Sequence, residues 1–434
     1  MSPRRKIAFP PILLRFWVGV LVLTGLSGAY TIALTLLHHS AHPWGVQLLW
    51  GPDVGWDLNV FRDRFLHFRQ PGFWQIPGIP LTYPAAVGVV FGLLYKLANP
   101  LRDYLLLCAI GVVAWATWLV RNLAAQGVAR GPATVFTLTV AATCWPLWVL
   151  FDTANIEGLV AILTGLSLIA FTRRRWWIAA TLIAIAGAMK IFPLALLALL
   201  LSKRRYKEFA AALVLAAVIN VASLAILGPT ISEAQRQIST GLQVVTTGDA
   251  LAATSPGPDT NHSLYTVVRY AVLLAHHRHP HGGPAQPDLD AALLRPAYTA
   301  YLIFGAIAAI ALYFLRIRHL PILNQILALT LCATALPPLS RDYTLVHLLV
   351  PFGLLCSYAA AQTKPARGLA ATFAAFAAIL TAGTFFSAGL SLTSQFRATA
   401  LMALLALVLK FPFAWSPLDT SALPNVNGSP TYDR

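Results

Sequence analysis

The amino-acid sequence predicts an all-α polytopic membrane protein, and three observations carry that reading. Of the 434 residues, 58% are hydrophobic and 11% are charged, whereas a soluble domain carries about 25% charged residues. Mean hydropathy is +0.69. Apolar runs near the length that a helix needs to cross a bilayer, about 20 residues, recur along the whole chain. This composition excludes a water-soluble enzyme. The 31 Lys and Arg against 15 Asp and Glu leave a net charge of +16. In a membrane protein such an excess reports cationic cytoplasmic loops facing anionic headgroups. No basic stretch is long enough to track a phosphate backbone, so nucleic acid is not expected as a partner. Cys108, Cys144, Cys332 and Cys356 each sit inside an apolar run, form no Cys-x-x-Cys pair, and read as small core residues.

The elements follow in order. Arg4, Arg5 and Lys6 precede an apolar run from about 11 to 37. That run is too long for the core of a signal peptide, so it predicts an uncleaved first span with a cytoplasmic N-terminus. Residues 38–79 are polar and aromatic and predict a first extracytoplasmic loop. Within it Phe61, Phe65 and Phe68 share one helical face, as expected of an interfacial helix lying along the membrane. Further apolar runs stand at roughly 80–98, 103–120, 131–151, 156–171, 176–189, 191–201, 209–227, 297–315, 320–337, 343–361, 368–388 and 397–414. About 11–13 membrane segments are expected from this pattern.

Basic clusters bound several runs: Arg173-Arg174-Arg175, Lys203-Arg204-Arg205, Arg316 with Arg318, and Lys364 with Arg367. The positive-inside rule places all four in the cytoplasm. Two stretches resist plain alternation. The runs 176–189 and 191–201 lie between two cytoplasmic clusters and are each too short to cross, so they predict a broken pair with Lys190 at its apex. Between 80 and 157, counting from either side gives opposite results, so one segment there does not simply cross. Residues 228–296 predict a second large extracytoplasmic loop, with a helix at 231–245, an interfacial stretch at 264–275 and a tract containing His276, His277, His279 and His281. The whole is expected to be a single transmembrane domain, 1–415, with a disordered tail, 416–434.

A handful of polar residues stand out. Asp57 lies just beyond the first span among aromatics, where a carboxylate can act as a general base on a hydroxyl, hold a cation, or simply be solvated. Asp53 precedes it by four residues, but Pro52 and Gly55 favour a turn, and a metal pair is weakly supported. Lys190 is a charge at membrane depth, suited to a phosphate, or else snorkelling to the interface. Asn155 and Glu157 open an apolar run, as helix caps or as site lining. Arg341 and Asp342 occupy a short external turn, where the arginine suits a phosphate or sugar hydroxyl, or the two form a local surface pair. His262, beside Asn261, could orient a hydroxyl or phosphate, or be an ordinary loop histidine. The histidine tract lacks acidic or cysteine partners at ligand spacing, so no metal site is expected. There is no phosphate-binding glycine loop, dinucleotide fingerprint or Ser-His-Asp signature.

Taken in order, these motifs form a set. Asp57-Leu58-Asn59-Val60-Phe61 is followed by Leu81-Thr82-Tyr83-Pro84, by Asn155 opening a span, and by Lys190-Ile191-Phe192-Pro193 ahead of Lys203-Arg204-Arg205. Then come Asn261-His262-Ser263-Leu264 and Pro337-Pro338-Leu339-Ser340-Arg341-Asp342-Tyr343. The set resembles the polytopic GT-C glycosyltransferases, most closely glycosyltransferase family 87, over roughly residues 10 to 360. One departure is Tyr83-Pro84-Ala85, where the family usually has a second proline. The resemblance implies a GT-C fold and a polyprenyl-phosphate-sugar donor, mannose in the family's α-1,2-mannosyltransferases, used without a cofactor. It implies a lipid or glycan acceptor on the extracytoplasmic face of a bacterial plasma membrane, and inversion at the sugar. Asp57 matches the family's catalytic acid position; Lys190, Arg341 and His262 would steady the leaving phosphate; Asp53, Tyr83, Asn155, Glu157, Asn261 and Asp342 would line the groove. The rival reading is a flippase or transporter of lipid-linked sugars, against which the chain shows no internal repeat.

Overall fold

The computed structural model describes residues 9–38, 54–70, 72–76, 80–251, 261–277, 287–363, 366–381, 386–387, 390–391 and 393–415. Asp53, His279, His281 and the tail 416–434 lie outside these residues. The described chain is helical except for a two-residue antiparallel pairing of Phe386–Ser387 with Leu390–Ser391. In order the helices are α1 (Pro11–His38), α2 (Trp56–Asn59), α3 (Arg62–Leu66), α4 (Ala85–Leu94), α5 (Pro100–Ala125), α6 (Arg130–Thr143), α7 (Trp145–Thr153), α8 (Glu157–Thr172) and α9 (Trp176–Met189). The second half holds α10 (Ala198–Ser202), α11 (Tyr206–Leu227), α12 (Ile231–Val245), α13 (Leu264–Ala275), α14 (Pro287–Leu315), α15 (Ile322–Ala335), α16 (Leu349–Ala361), α17 (Leu369–Leu380) and α18 (Thr393–Lys410).

Five stretches are long and apolar enough to cross a membrane: Pro11–Ala29, Pro100–Ala125, Tyr206–Leu227, Ala291–His319 and Asp342–Ala361. The pair α6 and α7, bent by 54°, makes a sixth if counted as one span. Seven shorter apolar helices accompany them, among them Leu264–Ala275, expected at the interface, while α18, over the expected run 397–414, is in neither set. The 342–361 stretch is the axis of the bundle. It is 94% buried over its apolar window, against 11–28% for the other four, which face outward.

Local chemistry sets the boundaries. Asn99 caps α5 by accepting the Arg102 N–H at 3.1 Å, with Pro100 in the first turn and Asp103 close behind. Thr230 caps α12 by accepting the Glu233 N–H at 3.2 Å. The α6–α7 bend falls at Cys144, whose extended ψ of 97° precedes Pro146, a residue that cannot donate to a continuing ladder. The expected broken pair is present: α9 stops at Lys190, extended at φ −144°, ψ 135°, and a 3-10 turn Phe192–Leu197 leads into α10.

The contradiction between 80 and 157 is resolved by α4. Its ten residues rise about 15 Å, half of a bilayer core of about 30 Å. Both ends stay beside α2. The chain enters α4 from Tyr83, which hydrogen-bonds toward Asn155, and leaves it at Tyr95, whose hydroxyl donates to the Leu58 carbonyl at 2.5 Å. α5 then starts where Leu101 packs on Gly55. Both ends of the run 80–98 thus lie at one end of the bundle.

The phenylalanine face of the first loop differs from expectation. Phe61 and Phe65 are 3% and 1% exposed, so they do not lie in a membrane interface. They pack on Phe73, Phe91 and Tyr83, with ring centroids 5.3–5.9 Å apart. α4, dipping beneath the loop, supplies the apolar floor that the sequence alone assigned to lipid.

The basic clusters share one end. The Arg205 guanidinium lies over the Trp176 ring at 5.8 Å, joining the loops after α8 and α10. Arg316 donates to the Leu409 carbonyl at 2.7 Å, and Gly368 lies against Phe411.

Candidate active site

The opposite end gathers the loops that carry the marked residues. Gly55 begins the arrangement. It sits in the left-handed region at φ 80°, and a Cβ there would stand 2.5 Å from Leu101, so only glycine fits. Its N–H donates to the Asp152 carbonyl at 2.7 Å, docking the Asp57 helix onto the end of α7.

Asn155 then joins three elements. Its Oδ1 accepts the Glu157 N–H at 2.9 Å, capping α8. Its Nδ2 donates to Asp57 Oδ2 at 2.8 Å and to the Tyr83 hydroxyl at 3.0 Å. Its carbonyl accepts from the Tyr104 hydroxyl. The start of α8 and the Asp57 and Tyr83 contacts, alternatives in the sequence, thus fall to one side chain.

Glu157 is buried at 0% exposure and shared by two cationic or donor groups. Its Oε2 pairs with Lys190 Nζ, and its Oε1 accepts from His347 Nε2 at 2.6 Å. Lys190 Nζ lies 5.3 Å from the Tyr83 ring centre and 5.5 Å from that of Tyr343, an aromatic collar that favours a cation. The Lys190-Ile191-Phe192-Pro193 motif explains itself here: Phe192 turns its ring edgewise onto His347, 5.0 Å between centroids at 89°. Lys190 is thus neither snorkelling nor bare. It is held at a break in α9 by a buried carboxylate.

A second cluster lies behind Arg341. Asp342, 2% exposed, accepts from Arg397 and, at 2.9 Å, from Trp145 Nε1. His262 Nδ1 lies 3.5 Å from it, beyond a good hydrogen bond. His262 itself is 0% exposed, with Nε2 3.1 Å from the Ser340 hydroxyl and 3.3 Å from that of Thr344. Burial pushes the His262 pKa below its ordinary value, against the opposing pull of Asp342. Asn261 accepts the Ser263 and Ser340 N–H groups at 3.1 and 2.9 Å and donates to the Pro338 carbonyl at 3.0 Å. It also bridges to Arg341 through the backbone.

The marked residues therefore sort into two layers. Asp57, Tyr83, Lys190 and Arg341 are partly exposed. Asn155, Glu157, Asn261, His262 and Asp342 are buried behind them. Two expectations change as a result. Asp342 is no partner in a surface pair with Arg341, because a buried carboxylate requires the buried guanidinium of Arg397. His262 is enclosed by protein groups and has no face toward a ligand; it braces the 340–344 turn. Tyr83 joins the front row electrostatically as well. Burial and the Asp57 charge push its hydroxyl above the ordinary tyrosine range, while Arg341 offsets part of that shift. The phenol stays protonated.

His347 and Arg397 are not singled out in the sequence, and Tyr343 stands in a quoted motif without a role. The signal for His347 was present: a titratable side chain within the apolar run 343–361. Arg397 stands at the first position of the run 397–414 and reads there as a flanking charge. Among the described residues no three His, Cys, Asp or Glu side chains gather as metal ligands would.

The sequence model of glycosyltransferase family 87 matches residues 81–276. The chain is similar to that family across the segment carrying Tyr83, Asn155, Glu157, Lys190, Asn261 and His262, a likeness that suggests a membrane glycosyltransferase. Asp57 lies ahead of the matched segment, and Arg341, Asp342, His347 and Arg397 lie beyond it. Neither a curated protein nor a solved structure matches the chain.

Proposed function

We propose that the chain is a family 87 membrane glycosyltransferase that moves a hexose, mannose by resemblance, from a polyprenyl-phosphate donor to a hydroxyl of a lipid or glycan acceptor. The observation that carries this reading is the front row: one carboxylate oriented by an amide, beside two cations, at the end of the bundle away from the basic clusters. The positive-inside rule puts those clusters in the cytoplasm, so the row faces the extracytoplasmic side.

The resemblance supplies the reaction, and the geometry is compatible with it. With Oδ2 engaged by Asn155, Asp57 keeps Oδ1 for the acceptor hydroxyl and takes its proton. The freed oxygen attacks the anomeric carbon from the face opposite the phosphate. The bond from carbon to phosphate oxygen breaks, its electrons stay on the phosphate, and the sugar inverts. Lys190 and Arg341 meet the charge that develops on the leaving group. A lipid-phosphate donor needs no nucleotide pocket.

The test is transfer from radiolabelled polyprenyl-phosphate-mannose to total lipid acceptors in membranes. Asp57→Asn is expected to lower transfer by about 10²–10⁴-fold, the usual contribution of a general base, with expression unchanged. Full activity in Asp57→Asn would remove Asp57 from that role. Labelled lipid that crosses the bilayer but yields no product would favour the transporter.

A further inference from the structure

Helix α5 is a rib between two apolar grooves. On one side, with α6, lies a cleft of about 1180 Å³. On the other, with α8 and the start of α16, lies one of about 660 Å³. Thr117 and Arg121 line both. Along α5 the first groove runs from Val113 to Ala125, about 18 Å at 1.5 Å per residue, close to one leaflet of a core about 30 Å thick. The second reaches from Arg121 and Arg173 up to Leu107 and Gly158.

Both grooves end among arginines at the basic end of the bundle: Arg121 between them, Arg130 on the first and Arg173 on the second. None of the three has a carboxylate partner among the described residues. Helix energetics do not explain Arg130, because a cation at the first position of α6 opposes the helix dipole. Ala129, at the cap, contributes no side-chain acceptor either. An anion placed there satisfies the arginines and the helix start together.

We propose that this is a binding site for an anionic diacyl phospholipid of the cytoplasmic leaflet. It straddles α5, with one acyl chain in each groove and its phosphate on Arg121, flanked by Arg130 and Arg173. Two apolar grooves that share Arg121 match a two-chain lipid with a single headgroup, and the exposed arginines at their ends suit an anionic one. Its headgroup end lies away from the Asp57 row, although the second groove reaches Gly158 beside Glu157, and the binding does not depend on the proposed reaction.

The test uses the full chain, delipidated in detergent and titrated with phosphatidylglycerol or phosphatidylcholine while melting temperature and retained lipid are followed. Phosphatidylglycerol should raise the melting temperature and be retained, and phosphatidylcholine should do neither. Arg121→Gln should weaken retention about fivefold, the effect of one basic residue near anionic lipid, and Arg121→Lys should restore most of it. Arg204→Gln, exposed at the same end but away from both grooves, should have no effect. Equal binding of the two lipids, unchanged retention in Arg121→Gln, or an equal loss in Arg204→Gln would overturn the proposal. So would displacement of the phospholipid by polyprenyl phosphate, which would assign the grooves to the donor.

Discussion

Lys190 and Glu157 form a buried pair to which folding and the proposed chemistry make separate claims. Glu157 is fully buried, and Lys190 is 16% exposed, so the lysine is the member able to meet a ligand. Removing it strands a carboxylate against His347 alone. Lys190→Met is expected to cost about 3 kcal/mol, the low end for a broken buried pair, and to lower transfer as well. Adding Glu157→Gln should recover melting temperature but not activity; recovery of both would mean that Lys190 serves only structure. His262 gives a pH signature. Its folded pKa lies below its ordinary value, so between the two values the unfolded chain binds more protons, and stability rises with pH there. Melting temperature should therefore fall as pH drops below about 6.5, and His262→Gln should flatten that fall. At this scale the sequence was partly legible. A lysine between apolar runs announces itself, whereas His347 hides in a run whose helix accounts for every neighbour.

Elements meet at the site through close approaches that leave no room for side chains. α12 lies across the entry to α4, and a Cβ on Gly241 would stand 2.1 Å from the Leu81 carbonyl oxygen. That oxygen belongs to backbone and cannot rotate away. Gly241→Val is expected to displace α12 from the 81–83 turn and lower transfer at least tenfold through Tyr83. Gly305→Val, where nothing lies within 4 Å, should leave transfer and melting temperature unchanged. The helix at 231–245 and the break at Lys190 were both readable in the sequence. The descent of α4 was not, because a ten-residue apolar helix under a loop and the first half of a span have the same composition. The Phe61 and Phe65 face was misassigned for the same reason, since pattern reports that a face is apolar and not what covers it.

The whole molecule has two chemically distinct ends around a buried axis. Because α4 returns to the end it leaves, residues on both sides of it share that end, and the basic loops share the other. Native cysteines are all buried, so introduced ones can report sidedness. Asn59→Cys and Lys96→Cys should react with an impermeant maleimide from one face of sealed vesicles, and Arg174→Cys only from the other. Lys96→Cys labelling with Arg174→Cys would make α4 a true span. The overall class was open to composition alone, since 58% apolar residues cannot be buried in a soluble chain of this size. The convergence at the site was not, because it joins residues 57, 155, 190 and 347 across separate helices.

The Asp342–Arg397 pair also imposes an order of assembly. The carboxylate precedes its guanidinium by 55 residues, with α16 and α17 between them. During synthesis Asp342 therefore enters the forming bundle before its cation exists, and the turn bearing Arg341, held by Asn261, His262 and Trp145, gains its ion pair only when α18 emerges. A nascent chain already holds Asp57, Asn155, Glu157 and Lys190, yet it stays unfinished at its most charged corner. Helix α18 thus acts as a latch, supplying the guanidinium only after α16 and α17 have been made.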